Sequence, residues 1–219
     1  LSSSCGRSDL MRSLLFVPAD GGSKLDKAMA SGADGVIVDL EDSIMPERKD
    51  AARKLAFDFL KANAGKKERP RLLVRINGLE TGLTDADLDA IVPAAPDAIL
   101  FPKAEGGATV THVDAKLTAR EAIAGLPEGS IKILAQTVES AMGLFTAGTY
   151  RNASARLIGM TWGPEDLSAE LGAEANREAD GTLTEPYRLA RAFCLPGAAA
   201  AKVPAIETIH VNFRDPDVL

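Results

Sequence analysis

A chain of 219 residues suits one large domain or two small ones, and 46% hydrophobic against 26% charged residues gives it ample material for a core. A formal net charge of −6 without any block of Lys and Arg argues against nucleic acid as a partner, and no apolar run approaches the roughly 20 residues that cross a bilayer. Cys5 and Cys194 are too few for a disulfide framework and lack metal-ligand spacing, so the cytoplasm is the expected compartment.

Residues 1–11 lack the basic region and apolar core of a signal peptide and read as a flexible lead-in, with Met11 a candidate start. From residue 12 one alternation repeats. Leu14–Val17 is a short apolar strand closed by Pro18, and a helix follows from Ser23, its expected N-cap, to Ser31, stopped by Gly32. Val36–Val38 forms a second strand, ending in Asp39-Leu40-Glu41-Asp42. Pro46 opens a long helix to about Asn63, with Ala51, Leu55 and Phe59 near i, i+4 spacing. Leu72–Asn77 is a third strand, and Thr84-Asp85 is expected to cap a short helix to Ile91. Ala98–Phe101 is a fourth strand, followed by Pro102-Lys103 and a helix from about Thr109 to Ala124.

The fifth strand, Ile131–Ala135, leads to Glu139 and a helix from Ser140 to about Ala147. The sixth, Leu157–Met160, runs into Gly163-Pro164, the adjacent acids Glu165 and Asp166, and a short helix to Gly172. Residues 176–185 are polar, with Asp180-Gly181 as a turn signal, and read as a loop beside the site. Pro186 begins an Ala-rich helix to about Lys202, and Ile206–Val211 is the expected seventh strand. Regular alternation of apolar strands with helices specifies a parallel sheet with helices outside. Seven strands at this spacing fit a (β/α)8 TIM barrel, an α/β fold, whose last strand and flanking helices are expected to be missing from this chain. No Gly-x-Gly-x-x-Gly follows the first strand, and the turn at Gly21-Gly22-Ser23-Lys24 lacks a P-loop ending; both weigh against nucleotide chemistry.

Acids at the ends of successive strands are where α/β enzymes place their chemistry. Glu139 and Asp166 lie one helix and one strand apart, so two neighbouring strands would bring oxygen ligands to one mouth, as a divalent metal needs. The alternative for Glu165 and Asp166 is stabilisation of a helix start, where carboxylates offset the dipole. Arg75 interrupts an apolar strand and must pair with an acid or an anion, because burying it alone costs too much.

Leu14–Pro18, Val38–Asp42, Leu73–Asn77, Phe101-Pro102-Lys103, Glu139–Gly143 and Trp162–Gly172 together resemble the HpcH/HpaI aldolase and citrate lyase superfamily, in particular its citrate lyase beta-subunit-like branch. The resemblance covers everything from Met11 to Leu219. It implies a barrel with a divalent metal at the strand C-termini, and cleavage or condensation of a hydroxy-acyl thioester such as malyl-, citramalyl- or citryl-CoA. By motif, Glu139 and Asp166 fall on the metal-ligand positions with Mg2+ as the ion, and Arg75 falls on a substrate-binding arginine. Glu139 also faces the substrate in this reading, and Glu165 points elsewhere.

Pyruvate-type aldolases of the wider superfamily carry histidine at the fourth position of the Asp39–Asp42 motif. Here that position is Asp42, with catalysis and helix capping as its two readings, which favours the thioester-lyase branch. Lys24 is a candidate contact for a coenzyme A phosphate, against a solvated helix-start lysine, and Lys103 is either a mouth ion pair or a substrate contact. Arg75 is expected to serve substrate more than stability, with an ion pair to Asp39 or Glu41 as the alternative. The resemblance also implies a homo-oligomer, a trimer, with an acyl-CoA or acyl-carrier thioester as substrate and neither nucleic acid nor membrane as partner. The competing readings are a metal-dependent aldolase on free 2-oxo acids and a non-catalytic subunit that needs a partner.

Overall fold

The computed structural model describes residues 11–210. Six strands form one parallel sheet in consecutive order: β1 (Leu14–Pro18), β2 (Gly35–Asp39), β3 (Arg71–Arg75), β4 (Ala98–Ala104), β5 (Lys132–Thr137) and β6 (Leu157–Trp162). The helices between them are α1 (Ser23–Met29), α2 (Lys49–Asn63), α3 (Thr84–Ile91), α4 (Gly107–Ala124), α5 (Ala141–Thr146) and α6 (Pro164–Leu171), with α7 (Glu185–Ala201) after them. Each strand hydrogen-bonds to the next in sequence, the order of a (β/α) barrel rather than of a doubly wound sheet. The fold is a partial barrel of this class.

Two apolar layers follow from the period-2 alternation of the strands. Ile37, Leu73, Ala98, Leu100 and Leu134 pack together inside the curl of the sheet, with Leu14, Phe16, Ile158 and Ile206 against them. Val36, Val38, Leu72, Val74, Ile99, Phe101 and Ile133 face the helices in the larger cluster. At the strand N-termini the inner end is closed by ions. Arg156 donates to both oxygens of the fully buried Glu121 at 2.7 Å, and the Ile131 and Gly129 N–H groups also bind that carboxylate, each at 2.8 Å.

Several local expectations change. Ser23 is the first residue of α1, not its cap; Gly22 precedes it at φ 53° and no side chain caps the helix. Thr84 likewise lies inside α3 and donates its hydroxyl to Asn77 O at 3.0 Å. Pro46 opens a 3-10 turn before α2, whose buried face is Ala52, Ala56 and Leu60, one residue round from the expected stripe; Leu55 is exposed. The stripe shifts because Arg53 is drawn inward to pair with buried Asp87 at 2.7 Å. The expected strand at 206–211 is a single bridge, Met160 to Ala205, within the described residues; Val211 lies outside them. Residues 176–184 form the expected polar loop, bridged from Arg177 to Leu183 with Gly181 at φ 85° in its turn, and Glu185 already opens α7.

Candidate active site

The register places the first charged pair. Asp39 is the direct partner of Arg75 across β2 and β3, at the last position of each strand. Both Asp39 oxygens are taken by the guanidinium fork, Nε to Oδ1 and Nη2 to Oδ2, each at 2.7 Å. The same oxygens accept the N–H groups of Glu41 at 2.9 Å and Ser43 at 3.2 Å, which curls residues 40–43 back over the strand end. The third Arg75 nitrogen lies 2.9 Å from Glu41 Oε2 and 3.4 Å from Asp42 Oδ2, and the guanidinium sits over the Phe16 ring. Behind this loop, Lys49 donates to Leu40 O, Glu41 O and Asn77 Oδ1 at 2.7–2.8 Å, and Asn77 is itself held by Asp87. The loop of acids is thus fixed from its buried side.

The second group comes from β4, β5 and β6. Register shifts between Phe101 and Ala104, where Lys103 takes φ 47°. An irregularity of this kind re-aims one side chain at a sheet rim. It turns the Lys103 N–H onto Glu139 Oε2 at 2.8 Å and sends the ammonium to Glu41 Oε1 at 3.0 Å and Asp166 Oδ1 at 3.4 Å. Val138, a β-branched residue at φ 55°, is the turn that delivers Glu139. Such a conformation is disfavoured and persists where surrounding contacts impose it. Glu139 Oε1 accepts a close hydrogen bond from the Gln136 amide. A Cβ at Gly163 would stand 2.5 Å from that oxygen, so any larger residue there would push the Glu139 carboxylate out of its present place. Asp166 sits in the first turn of α6, which satisfies the helix-start reading as well.

Burial and charge set the ionisation. Glu139 is 2% exposed, and burial pushes its carboxyl well above the ordinary range; the Lys103 N–H opposes this, while the negative charges of Asp166 and Glu41 add to it. Glu41 is pushed up to about 7, again by burial first, against the pull of Arg75. Burial would raise Asp39 too, but the Arg75 hydrogen bonds and charge outweigh it and hold Asp39 below its usual value. For Lys103 burial acts to lower, and the bond and charge of Glu41 together with Asp166 reverse the sign and raise it.

The chemistry of the donor set fits a hard divalent ion. Asp166 stands close enough to Glu139 to oppose its ionisation, which a cation between them would relieve, and every nearby side-chain acceptor is oxygen. Two buried oxygens, Glu41 Oε2 and Gln136 Oε1, accept no hydrogen bond; the Arg75 contact to Glu41 Oε2 is ionic but off hydrogen-bond geometry. Among the described residues no three His, Cys, Asp or Glu side chains form a closed metal cluster. Two carboxylates with open positions suit Mg2+, which keeps several waters and is held by one or two acids plus its substrate.

The structure brings Glu139, Asp166, Arg75 and Asp42 to the C-terminal ends of the strands. Asp42 has a side chain 58% exposed and does not cap a helix, since Met45 holds that position. Lys24 makes no hydrogen bond or ion pair with these four among the described residues; it is exposed on the first turn of α1, the helix that follows the C-terminal end of β1. Glu165 faces away and accepts from Asn176 at 2.7 Å. The parts that sequence reasoning left out of the site are Glu41, Gln136, Val138 and Gly163, and it left Lys103 undecided. The Asp-x-Glu-Asp run was the one signal for Glu41.

Comparison with known proteins agrees with this geometry. Residues 12–219 match the model of the HpcH/HpaI aldolase/citrate lyase family. The chain is 34% identical to the citrate lyase subunit beta of Leuconostoc mesenteroides over 94% of its length, and 33% identical to a (3S)-malyl-CoA thioesterase of Cereibacter sphaeroides over 95%. It spans about two thirds, 66%, of the length of each of these relatives. The protein CitE of Mycobacterium tuberculosis, solved with magnesium and acetoacetate, superposes with a TM-score of 0.78 at 31% identity, over 97% of this chain and 80% of that one. A second structure of it, with magnesium, acetoacetate and coenzyme A, gives 0.74 at 32% identity over 95% and 70%. With barrel order, strand-end acids and matched sequence in agreement, the chain belongs to the HpcH/HpaI aldolase/citrate lyase family.

Proposed function

We propose that the protein is a Mg2+-dependent carbon–carbon lyase acting on a 3-hydroxyacyl thioester such as malyl-, citramalyl- or citryl-CoA. The observation that carries this reading is the pairing at one barrel mouth of two cation-seeking acids, Glu139 and Asp166, with an arginine fork, Arg75. Magnesium in the CitE structures and coenzyme A in one of them support the choice of ion and carrier. Glu139 and Asp166 would hold the ion, which supplies electrophilic stabilisation of oxygens that gain negative charge.

The chain's own groups do the rest. Arg75 orients the carboxylate and hydroxyl oxygens of the substrate with the Nη1 edge of its guanidinium, which Asp39 does not use and which faces Glu41 and Asp42. Asp42, the exposed acid of the loop, accepts the hydroxyl proton. The C–O bond becomes a carbonyl, the carbon–carbon bond breaks, and its electron pair stays on the carbon next to the thioester. The proton that Asp42 took returns to that carbon, directly or through water, and gives an acyl thioester beside a 2-oxo acid. Lys103 and the Gln136 amide keep the mouth polar and ordered while this occurs.

The reading extends to residues 12–219 as one catalytic domain of a cytoplasmic homotrimer. No helix among the described residues is long and apolar enough to cross a membrane. Phe145 on α5 and Leu195 on α7 are 79% and 64% exposed, apolar surface that a neighbouring subunit would cover. The test is calorimetric titration of malyl-CoA and of pyruvate, each with Mg2+ and with chelator. Thioester binding that requires Mg2+ is expected. Pyruvate binding without any thioester binding would replace the lyase with an aldolase on free 2-oxo acids, and metal-dependent thioester binding without turnover would mark a subunit that needs a partner.

A further inference from the structure

Lys103 touches both acids assigned to the metal, and it does so by two unlike means. Its N–H is fixed on Glu139 Oε2 at 2.8 Å by the bulge in β4 and by its own positive φ. That bond occupies one lone pair and leaves the rest of the carboxylate available. Its ammonium is different. It lies on Asp166 Oδ1 at 3.4 Å and on Glu41 Oε1 at 3.0 Å, a positive charge inside the cluster of oxygens that a divalent ion would enter.

We propose that Lys103 is an internal competitor for the divalent cation, its ammonium neutralising Asp166 until the ion arrives and then withdrawing to Glu41. The inference rests on the metal reading above and goes beyond it, because it makes Lys103 the residue that sets metal affinity. Glu41 is what allows the exchange. It is buried and already holds the ammonium at Oε1 by the shorter of the two contacts, so the displaced charge keeps a partner. A flexible four-carbon stem lets the ammonium shift by the small distance this requires while the backbone stays on Glu139. Two cations cannot share Asp166 without strong repulsion at this separation in a partly dry site. The acids are then never left with unbalanced charge, and affinity for the ion is held below what the carboxylates alone would give.

The experiment is a calorimetric titration of Mg2+ into the parent, Lys103→Met and Lys103→Arg proteins, with thermal melts of each in chelator and in saturating Mg2+. Methionine keeps the length and the backbone bond but removes the charge. Lys103→Met is expected to bind Mg2+ at least about tenfold more tightly than the parent, and Lys103→Arg to stay near the parent. In chelator Lys103→Met should melt below the parent, and saturating Mg2+ should close that gap. A lysine that only orders the acids would weaken metal binding when removed; tightening marks its charge as opposed to the ion's, and closure of the melting gap by Mg2+ marks the two as exchanging on the same acids. If the parent binds Mg2+ and Lys103→Met binds it equally or less well, the competitor role is overturned and the metal site stands. If the parent binds no Mg2+, both fall.

Discussion

Replacing Arg75 with alanine is expected to lower stability by about 3–5 kcal/mol, the cost of leaving a buried carboxylate without its partner. Asp39 is 2% exposed and gives both its oxygens to that guanidinium, so the alanine variant leaves a charge that water cannot reach. The Glu41 and Ser43 N–H groups would remain, which keeps the loss short of complete unfolding. Arg75→Lys retains a cation and should lose less stability, yet it should lose most thioester cleavage because an ammonium cannot grip Asp39 and a substrate oxygen with separate edges. From the strand alone, a substrate role with little effect on melting was the expectation. The two-pronged bond to Asp39 adds a structural role. Thermal melts beside cleavage kinetics decide: an unchanged melting temperature for Arg75→Ala removes the structural role, and near-parent turnover for Arg75→Lys removes the substrate role.

Glu139→Gln and Asp166→Asn are each expected to abolish measurable Mg2+ binding while leaving the fold intact. An amide keeps the volume and removes the charge that a hard cation requires. At position 139 the exchange is structurally mild. The side chain is buried with its carboxyl raised, so a neutral group already suits the surroundings. With the Gln136 amide turned over, the new amide can donate to Gln136 Oε1, which otherwise accepts nothing, while its own oxygen keeps the Lys103 N–H. Unchanged metal affinity in both variants, with melting curves like the parent's, would remove these two residues from the metal site.

The barrel was legible because its strands are continuous apolar runs closed by Gly, Pro or acids, and that pattern survives any local error. Side-chain details were legible where one residue type leaves few options. Arg75 in an apolar strand had to find an acid, and Asp39 and Glu41 were the nearest. Local competition hid the rest. Ser23 reads as a cap, yet Gly22 takes the positive φ and the helix starts one residue earlier than the capping pattern implies. The α2 stripe shifted because a buried ion pair, Arg53 with Asp87, outweighs the choice between Ala51 and Ala52. Val138 was illegible, since nothing in a β-branched residue announces φ 55°; the conformation is imposed by what its neighbours bind. Lys103 belongs to the same class, a residue whose direction is set by a bulge that only the paired strands reveal.

The most direct measurement is a mass-spectrometric assay of malyl-, citramalyl- and citryl-CoA with the purified protein, in Mg2+ and in chelator. The account predicts that at least one thioester is converted to a 2-oxo acid and a shorter acyl-CoA, that chelator stops the reaction, and that Glu139→Gln does not support it. Cleavage that persists in chelator, or in Glu139→Gln, would contradict a metal-dependent lyase centred on these acids.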